Sequence, residues 1–476
     1  MQLPPPTVLL EFNELTPDLM DRFIAGGELP NLKKLHDRSQ VYISQAEEQA
    51  PDLEPWIQWV NVHSGVPYAE HGIYNLSEGH KLRYKNVWDL ASEAGLPVWI
   101  CGSMNVRYDA SIRGHVLPDP WATDVAPHPE TLQPYFRFIQ QNVLEYTNDR
   151  VPLTKSDYMK FLAFMLRHGL SADSIASTIK QLATEKKTGQ GRWRRAFIME
   201  KVQFDLFSAV YRRLKPRFST FFLNSTAHMQ HKYWRHMEPE LFKVRRQGEE
   251  QYDSAILLGY QAMDQIVGRM LSLVGDQAVV ILATALGQQP CLKYEEEGTK
   301  HGYRPHNPAE VLTFAGITCA RRVAPVMAEQ FWVHLERDSD ATEVETKLAA
   351  LRVGQRKAVN TRRDGLSVFA SCAINQLLPK DAILSVPNSD RTVPFFEMFY
   401  SLGGGKSGMH HPDGILWIRD PRRTHAIHAE KVGLVSIAPT ILEMLGIGKP
   451  DYMKGTSLFA DTAARCPSLE EASQRA

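Results

Sequence analysis

An apolar run beginning at Phe221 ends abruptly in Asn224, His228, His231 and Arg235. An amide oxygen and an imidazole four residues apart can meet one divalent cation if the chain turns back after a strand. The competing reading is a helix start capped by Asn224 or Ser225, with both histidines on a solvated face. A second group, Glu11, Asn13 and Glu14, follows the apolar Val8, Leu9 and Leu10. Glu11 equally suits a buried, paired carboxylate, and Glu14 a helix amino terminus. Asp52 and Glu54 stand just before Pro55, where a helix start either binds an anionic group or is capped by a carboxylate. Lys300, His301, Arg304 and His306 crowd one short loop, and His410 sits in a glycine-rich segment where the backbone can approach a ligand closely. Together these side chains suit metal ligation, acid–base transfer, and the gripping of a phosphate, sulfate or carboxylate.

Apolar runs at Val8, Leu96, Phe221, Ala278 and Ile415 read as buried strands, and amphipathic helices separate them. That alternation predicts an α/β fold with a mostly parallel central sheet covered by helices on both faces, its site at the carboxyl ends of the strands. The core takes residues 1–126, 217–315 and 403–463. Long helical periodicities over 127–216 predict a helical cap insertion, and 316–402 reads as a smaller α+β insertion. The tail 464–476 reads as disordered.

The 476 residues allow a large core, and 54 Lys+Arg against 54 Asp+Glu leave no charge excess that would favour nucleic acid or an anionic membrane. No run reaches the roughly 18 apolar residues of a membrane span. Cys101, Cys291, Cys319, Cys372 and Cys466 form no CxxC pair. A reducing compartment fits that pattern, and a cytoplasmic location is the expectation.

Several segments, in this order, resemble the alkaline phosphatase superfamily, particularly its type I phosphodiesterase and nucleotide pyrophosphatase branch. Gly408-Met-His-His-Pro-Asp-Gly-Ile-Leu and the helical Val435-Ser-Ile-Ala-Pro-Thr-Ile-Leu carry the likeness at the carboxyl end, with Lys454-Gly-Thr-Ser-Leu-Phe after them. Thr16-Pro-Asp-Leu, Gly27-Glu-Leu-Pro-Asn-Leu and Gly65-Val-Pro-Tyr-Ala-Glu-His-Gly-Ile carry it at the amino end. The resemblance implies two metal sites. Asn224, His228 and His410 match one. The other matches Asn13 and Ala285-Leu286, which offer no charged or imidazole ligand, and the family's hydroxyl or thiol nucleophile falls at Glu54 or Pro55. Two-metal clamping of an in-line displacement is thereby removed.

The resulting expectation is hydrolysis or group transfer on a small phosphate- or sulfate-ester-like substrate. Asn224, His228 and His410 are the expected ligands of at most one divalent metal (zinc, manganese or iron), with His231, His301, His306 or a nearby glutamate able to complete the set. Metal-free catalysis is the variant. Glu11, Asn13, Glu14, Glu54, Lys300 and His301 are the expected catalytic groups, and Arg235, Arg304 and His306 the substrate-gripping ones. The alternative is a pseudoenzyme that binds a ligand or partner in the old pocket. Neither nucleic acid nor membrane is expected as a partner, and the sequence specifies no oligomer.

Overall fold

The computed structural model describes residues 3–145, 153–243, 249–293, 295, 301–325, 330–402 and 406–459. Its central feature is a nine-stranded sheet. The strands are β1 (Thr7–Phe12), β2 (Gln40–Gln45), β3 (Val98–Cys101), β4 (Gly114–Leu117), β5 (Phe218–Leu223), β6 (Val279–Ala283) and, after two strands of a separate ribbon, β9 (Asp413–Arg419). That ribbon pairs β7 (Gly287–Pro290) with β8 (Gly408–His411). The sheet order is β2-β9-β6-β1-β5-β3-β4, with the short strands Ala426–Ile427 and Val432–Gly433 beside β2. All neighbours run parallel except β9, which lies antiparallel to both β2 and β6. The fold is therefore α/β with a mostly parallel central sheet.

β1 is buried along its whole length because helices cover both faces of the sheet. Its alternation then decides which side each residue serves. Val8, Leu10 and Phe12 join one core, whereas Leu9 enters the other. Glu11 shares the face of Leu9 and lies under the helix Pro55–Ser64, where its Oε1 meets His63 Nε2 at 2.7 Å. Both side chains are essentially inaccessible. Glu11, expected among the catalytic groups, is thus a core residue paired with His63, because the strand period aims it at the helix layer and not past the sheet edge.

The register carries the argument to the edge. Phe12 pairs with Leu223, so Asn13 and Asn224 emerge side by side from β1 and β5. Asn13 and Glu11 share the strand's odd-numbered face, and Glu14 leaves the pattern through a positive φ of 63°.

Helices Gln133–Glu145, Lys155–Arg167, Ala172–Thr188 and Arg195–Leu214 fill the 127–216 region. The last also belongs to the sheet's covering layer, since its Phe204, Leu206, Phe207 and Val210 are buried in the same core as Phe221. The described residues of 316–402 build two four-stranded antiparallel sheets and the helix Asp338–Ala350 around a separate core. Among the described residues no helix is long and apolar enough to cross a membrane. Cys101, Cys291, Cys319 and Cys372 are free thiols. The 464–476 tail lies outside the described residues.

Removing one member of the buried Glu11–His63 pair leaves a buried polar group without its partner, at a cost of about 1–3 kcal/mol. His63→Ala should lower the unfolding free energy in urea by that order, and Glu11→Leu/His63→Leu by clearly less. A loss under about 1 kcal/mol for His63→Ala would contradict the assignment of Glu11 to the core.

Candidate active site

The residue at the centre of the site is Glu14, which is 3% exposed. It occupies the turn between β1 and the helix Pro17–Ala25 in the left-handed backbone region. A non-glycine residue there costs roughly 1 kcal/mol or more and persists only where the surroundings hold it. Its N–H donates to Thr284 O at 3.2 Å, and its carbonyl accepts from Gln230 Nε2 at 2.7 Å. Gln230 is in turn held by the Tyr260 hydroxyl at 2.8 Å.

The carboxylate plane is fixed as firmly. Trp59 Nε1 can only donate, and it meets Asn13 Oδ1 at 2.8 Å. Asn13 Nδ2 must therefore face the other way, where it donates to Glu14 Oε1 and to Asn224 Oδ1, both at 2.8 Å. Glu14 Oε2 is left to look into the cleft, and Gln288 Nε2 donates to it. Gln288 is anchored by Ala227 O at 3.0 Å and, through its backbone, by Thr16 Oγ1.

Two histidines face the same oxygen. His231 Nε2 lies 3.0 Å and His410 Nε2 3.5 Å from Glu14 Oε2. The nearest ligand atoms of Glu14, His231 and His410 all lie within 4.8 Å of one another. The opposite ring nitrogens are engaged elsewhere: His231 Nδ1 with Gly408 O at 3.0 Å, and His410 Nδ1 with Leu53 O at 2.7 Å. Carbonyls only accept, so Nδ1 carries the proton in each ring and Nε2 of a neutral ring presents a lone pair. Backbone carbonyls that orient imidazoles in this way are the usual supports of histidine metal ligands. Gly408 is needed for the approach, because a Cβ there would sit 2.4 Å from Gln230 O. The histidine side chains keep 21% and 12% of their surface, so the cluster opens toward solvent.

The charges are unequal. Burial would raise the Glu14 pKa, but His410 and His231 outweigh it and hold the carboxyl well below its ordinary value. Burial, with help from Lys406, pushes His231 down to about 4. Burial also opposes a charge on His410, yet Glu14 and then Glu54 raise it above the ordinary value. Without a metal these shifts favour a proton on His410 beside an ionised Glu14.

The structure redistributes several expected roles. Asn13 and Glu14 are central, and Glu54 is on the rim, its Oε2 3.6 Å from His410 Nδ1. His410 is in the cluster with Glu14 and His231, whereas His228 is not. The chain enters the helix Ser225–Met237 directly after β5, so Asn224 bonds back to Asn13 and its amide nitrogen lies 3.3 Å from His228 Nε2. His231, almost one turn further along, is the histidine of this helix that faces Glu14. Arg235 is 3% exposed and forks onto Glu295 while lying over the Phe242 ring, which makes it a structural residue. Arg304 is buried in a ribbon with Phe399–Ser401. His306 turns to Phe396 O and Tyr400. His301 is half-buried, its N–H donating to Asn375 O. None of these three is among the partners found for Glu14, His231 and His410. Lys300 lies outside the described residues. Ala285 and Leu286, where the resemblance places a second set of ligands, are fully buried.

Three contributors escaped sequence reasoning. Gln288 lies in β7, a few residues past the carboxyl end of β6, close to the strand-end address that singled out the other groups. Lys406 belongs to the glycine-rich segment before His410. Trp59 gives no signal, because at helical spacing an indole donor is indistinguishable from a core ring.

No family model matches the chain, and no curated protein matches it. Solved structures do. Phosphonoacetate hydrolase from Sinorhizobium meliloti 1021, in complex with phosphonoacetate, is similar at 13% identity and a TM-score of 0.44, over 93% of this chain and 96% of that one. Murine ectonucleotide pyrophosphatase/phosphodiesterase 5 is similar at 8% identity and a TM-score of 0.43, over 96% and 99%. A variant of the alkaline phosphatase PafA is similar at 12% identity and a TM-score of 0.46, over 96% and 99%. These figures describe resemblance in outline. The chemistry of this chain rests on its own residues.

In metal-free protein, imidazole NMR should show His231 neutral, with Nδ1 protonated, down to pH about 4, and His410 doubly protonated to above pH 6.5. Glu14→Gln removes the charge that raises His410, so burial should then carry its pKa below 6.5. An unchanged His410 titration in that variant would contradict the pairing.

Proposed function

We propose that this chain is a hydrolase or group-transfer enzyme acting on a small phosphate or sulfate ester, with one divalent metal held by Glu14, His231 and His410. The observation that carries this reading is the convergence of two Nε2 lone pairs on one carboxylate oxygen. A cation or a stored proton is the only species that makes such a convergence favourable. Ligand bonds of about 2.0–2.2 Å in a tetrahedron separate the ligand atoms by roughly 3.3–3.6 Å. The 3.0 and 3.5 Å contacts fit that spacing with little movement. Two histidines, one glutamate and an open fourth position is also a donor set of catalytic zinc. Zinc is the first choice, with manganese or iron as alternatives.

When bound, the ion supplies Lewis-acid stabilisation of charge on the ester. The other tasks belong to the protein. Lys406 acts electrostatically on both cluster histidines, which supports it as a cation that faces the anionic group. Glu54 occupies the helix start where the resemblance puts a hydroxyl or thiol nucleophile, and it is half-exposed. Glu54 therefore serves as a base toward an attacking water or alcohol and not as the atom attacked through. Asn13 and Gln288 keep the Glu14 carboxylate in plane.

A ligand-binding protein without turnover is the second reading. It is favoured by the buried Ala285 and Leu286 in place of further metal ligands.

Protein equilibrated with zinc and dialysed should retain one ion per chain by elemental analysis. Glu14→Gln and His231→Ala should weaken binding by at least about 100-fold, a loss at the upper end of that seen when only a supporting group is removed. His228→Ala should keep the ion. Retention in His231→Ala with loss in His228→Ala would overturn the ligand set. Stoichiometric metal without turnover on phosphomonoester, phosphodiester and sulfate ester substrates would leave the second reading.

A further inference from the structure

His228 stands outside the metal cluster, and its side chain is exposed within the cleft. The amides beside it decide which ring nitrogen carries the proton. Trp59 Nε1 donates to Asn13 Oδ1, so Asn13 Nδ2 donates to Asn224 Oδ1, and Asn224 turns its own Nδ2 toward His228 Nε2 at 3.3 Å. An amide nitrogen only donates, so Nε2 accepts and the proton of the ring sits on Nδ1. The polarity of one indole is thus passed through two amides to an imidazole. Nε2 is occupied by this bond, whereas Nδ1 makes no hydrogen bond to any described residue. Burial by the cleft walls, and after it Lys232, hold the ring's pKa below its ordinary value against the pull of Glu14, so at neutral pH the ring donates without carrying a charge.

The same ring, with Asn224, borders a cavity of about 260 Å³ between the cap helices and the sheet edge. The wall includes Leu117, Phe136, Ile139, Met199 and Phe222. Two acids also border it, but Asp119 is 1% and Glu200 6% exposed, and backbone N–H groups of Trp121 and Ser225 hold them. The surface that the cavity offers is therefore largely apolar, with an imidazole at one side. Such a combination, an apolar lining with a few fixed polar groups, is the usual form of a small-molecule site. The space exceeds the ~150 Å³ apolar cavity that takes up benzene. Asn224 ties this wall to Asn13, and Asn13 ties it to Glu14.

We infer that the Nδ1–H of His228 and this cavity form the subsite for the organic end of the substrate, an uncharged, ring-sized apolar group that bears a hydrogen-bond acceptor such as a carbonyl or ether oxygen. That the occupant is a substrate rests on the proposed ester chemistry, whereas the proton position on His228 and the binding capacity of the cavity do not. An uncharged donor in an apolar wall selects an uncharged acceptor, because a charged group would lose its hydration for a single hydrogen bond.

Long-range proton–nitrogen NMR of the metal-free full chain at neutral pH should show His228 protonated at Nδ1 alone. In Asn224→Asp the carboxylate still accepts from Asn13, but it can only accept from His228 as well, so Nε2 should become protonated. Protonation at Nε2 in the unaltered protein, or a ring unmoved by Asn224→Asp, would overturn the relay. Isothermal titration of the same metal-free chain with acetophenone, ethylbenzene and benzoate tests the cavity. Acetophenone should bind about fivefold more tightly than ethylbenzene, the ratio given by one hydrogen bond between uncharged groups, and benzoate should not bind. His228→Phe and His228→Leu should erase that preference, and Met199→Trp, which fills the cavity, should abolish both bindings, with thermal melts identifying the variants that fold. Equal affinities in the unaltered protein, or a preference that survives in a folded His228 variant, would overturn the inference. With zinc-loaded enzyme, 4-acetylbenzyl phosphate should show a KM about fivefold below that of 4-ethylbenzyl phosphate, and His228→Phe should remove the difference. Turnover of both with equal KM values would overturn the substrate role alone, turnover of neither would overturn the ester chemistry together with that role, and the binding result stands apart from both.

Discussion

A carboxylate buried at the end of a strand is tolerated only where its charge is met, and the geometry of this protein's site follows from meeting the charge of Glu14. One oxygen is held by Asn13, whose orientation is dictated by an indole that can only donate. The other faces two imidazoles and Gln288. The backbone under Glu14 sits in the left-handed region, so the side chain is aimed by a strained turn that contacts from β6 and the helix Ser225–Met237 sustain. Strain held in place by surrounding structure is a hallmark of sites that must be preformed. The ribbon β7–β8 completes the arrangement, because Gln288 comes from one strand and His410 from the other.

The same considerations explain how much of the molecule was legible from its sequence. Short apolar runs between amphipathic helices read as buried strands, so most of the sheet and its helical layers followed from pattern, whereas the antiparallel direction of β9 did not. The meeting of Asn13, Asn224 and His410 was legible as well, since all three terminate or precede such strands. What pattern could not reveal was which way a side chain points. Glu11 and Glu14 are three residues apart and looked alike. The period of β1 sends the first under a helix to His63, and a positive φ sends the second into the cleft. His228 and His231 were likewise both candidates, and the choice depends on where the helix Ser225–Met237 begins. Arg235 read as a free cation because its partner Glu295 is 60 residues away.

The chain thus gathers Glu14, His231 and His410 at one end of its sheet. Where the resemblance calls for a second group of metal ligands, Ala285 and Leu286 are buried and apolar. Where it calls for a hydroxyl or thiol nucleophile there is a glutamate on the rim. These two replacements are what favours the proposed single-ion reading over a two-metal one.

The central claim is a location: one divalent ion between Glu14, His231 and His410. Anomalous diffraction at the zinc edge from crystals grown with zinc measures it directly. The account requires a single strong peak about 2.0–2.2 Å from Glu14 Oε2, His231 Nε2 and His410 Nε2. A peak on His228 and Asn224, or none there at saturating metal, would contradict it.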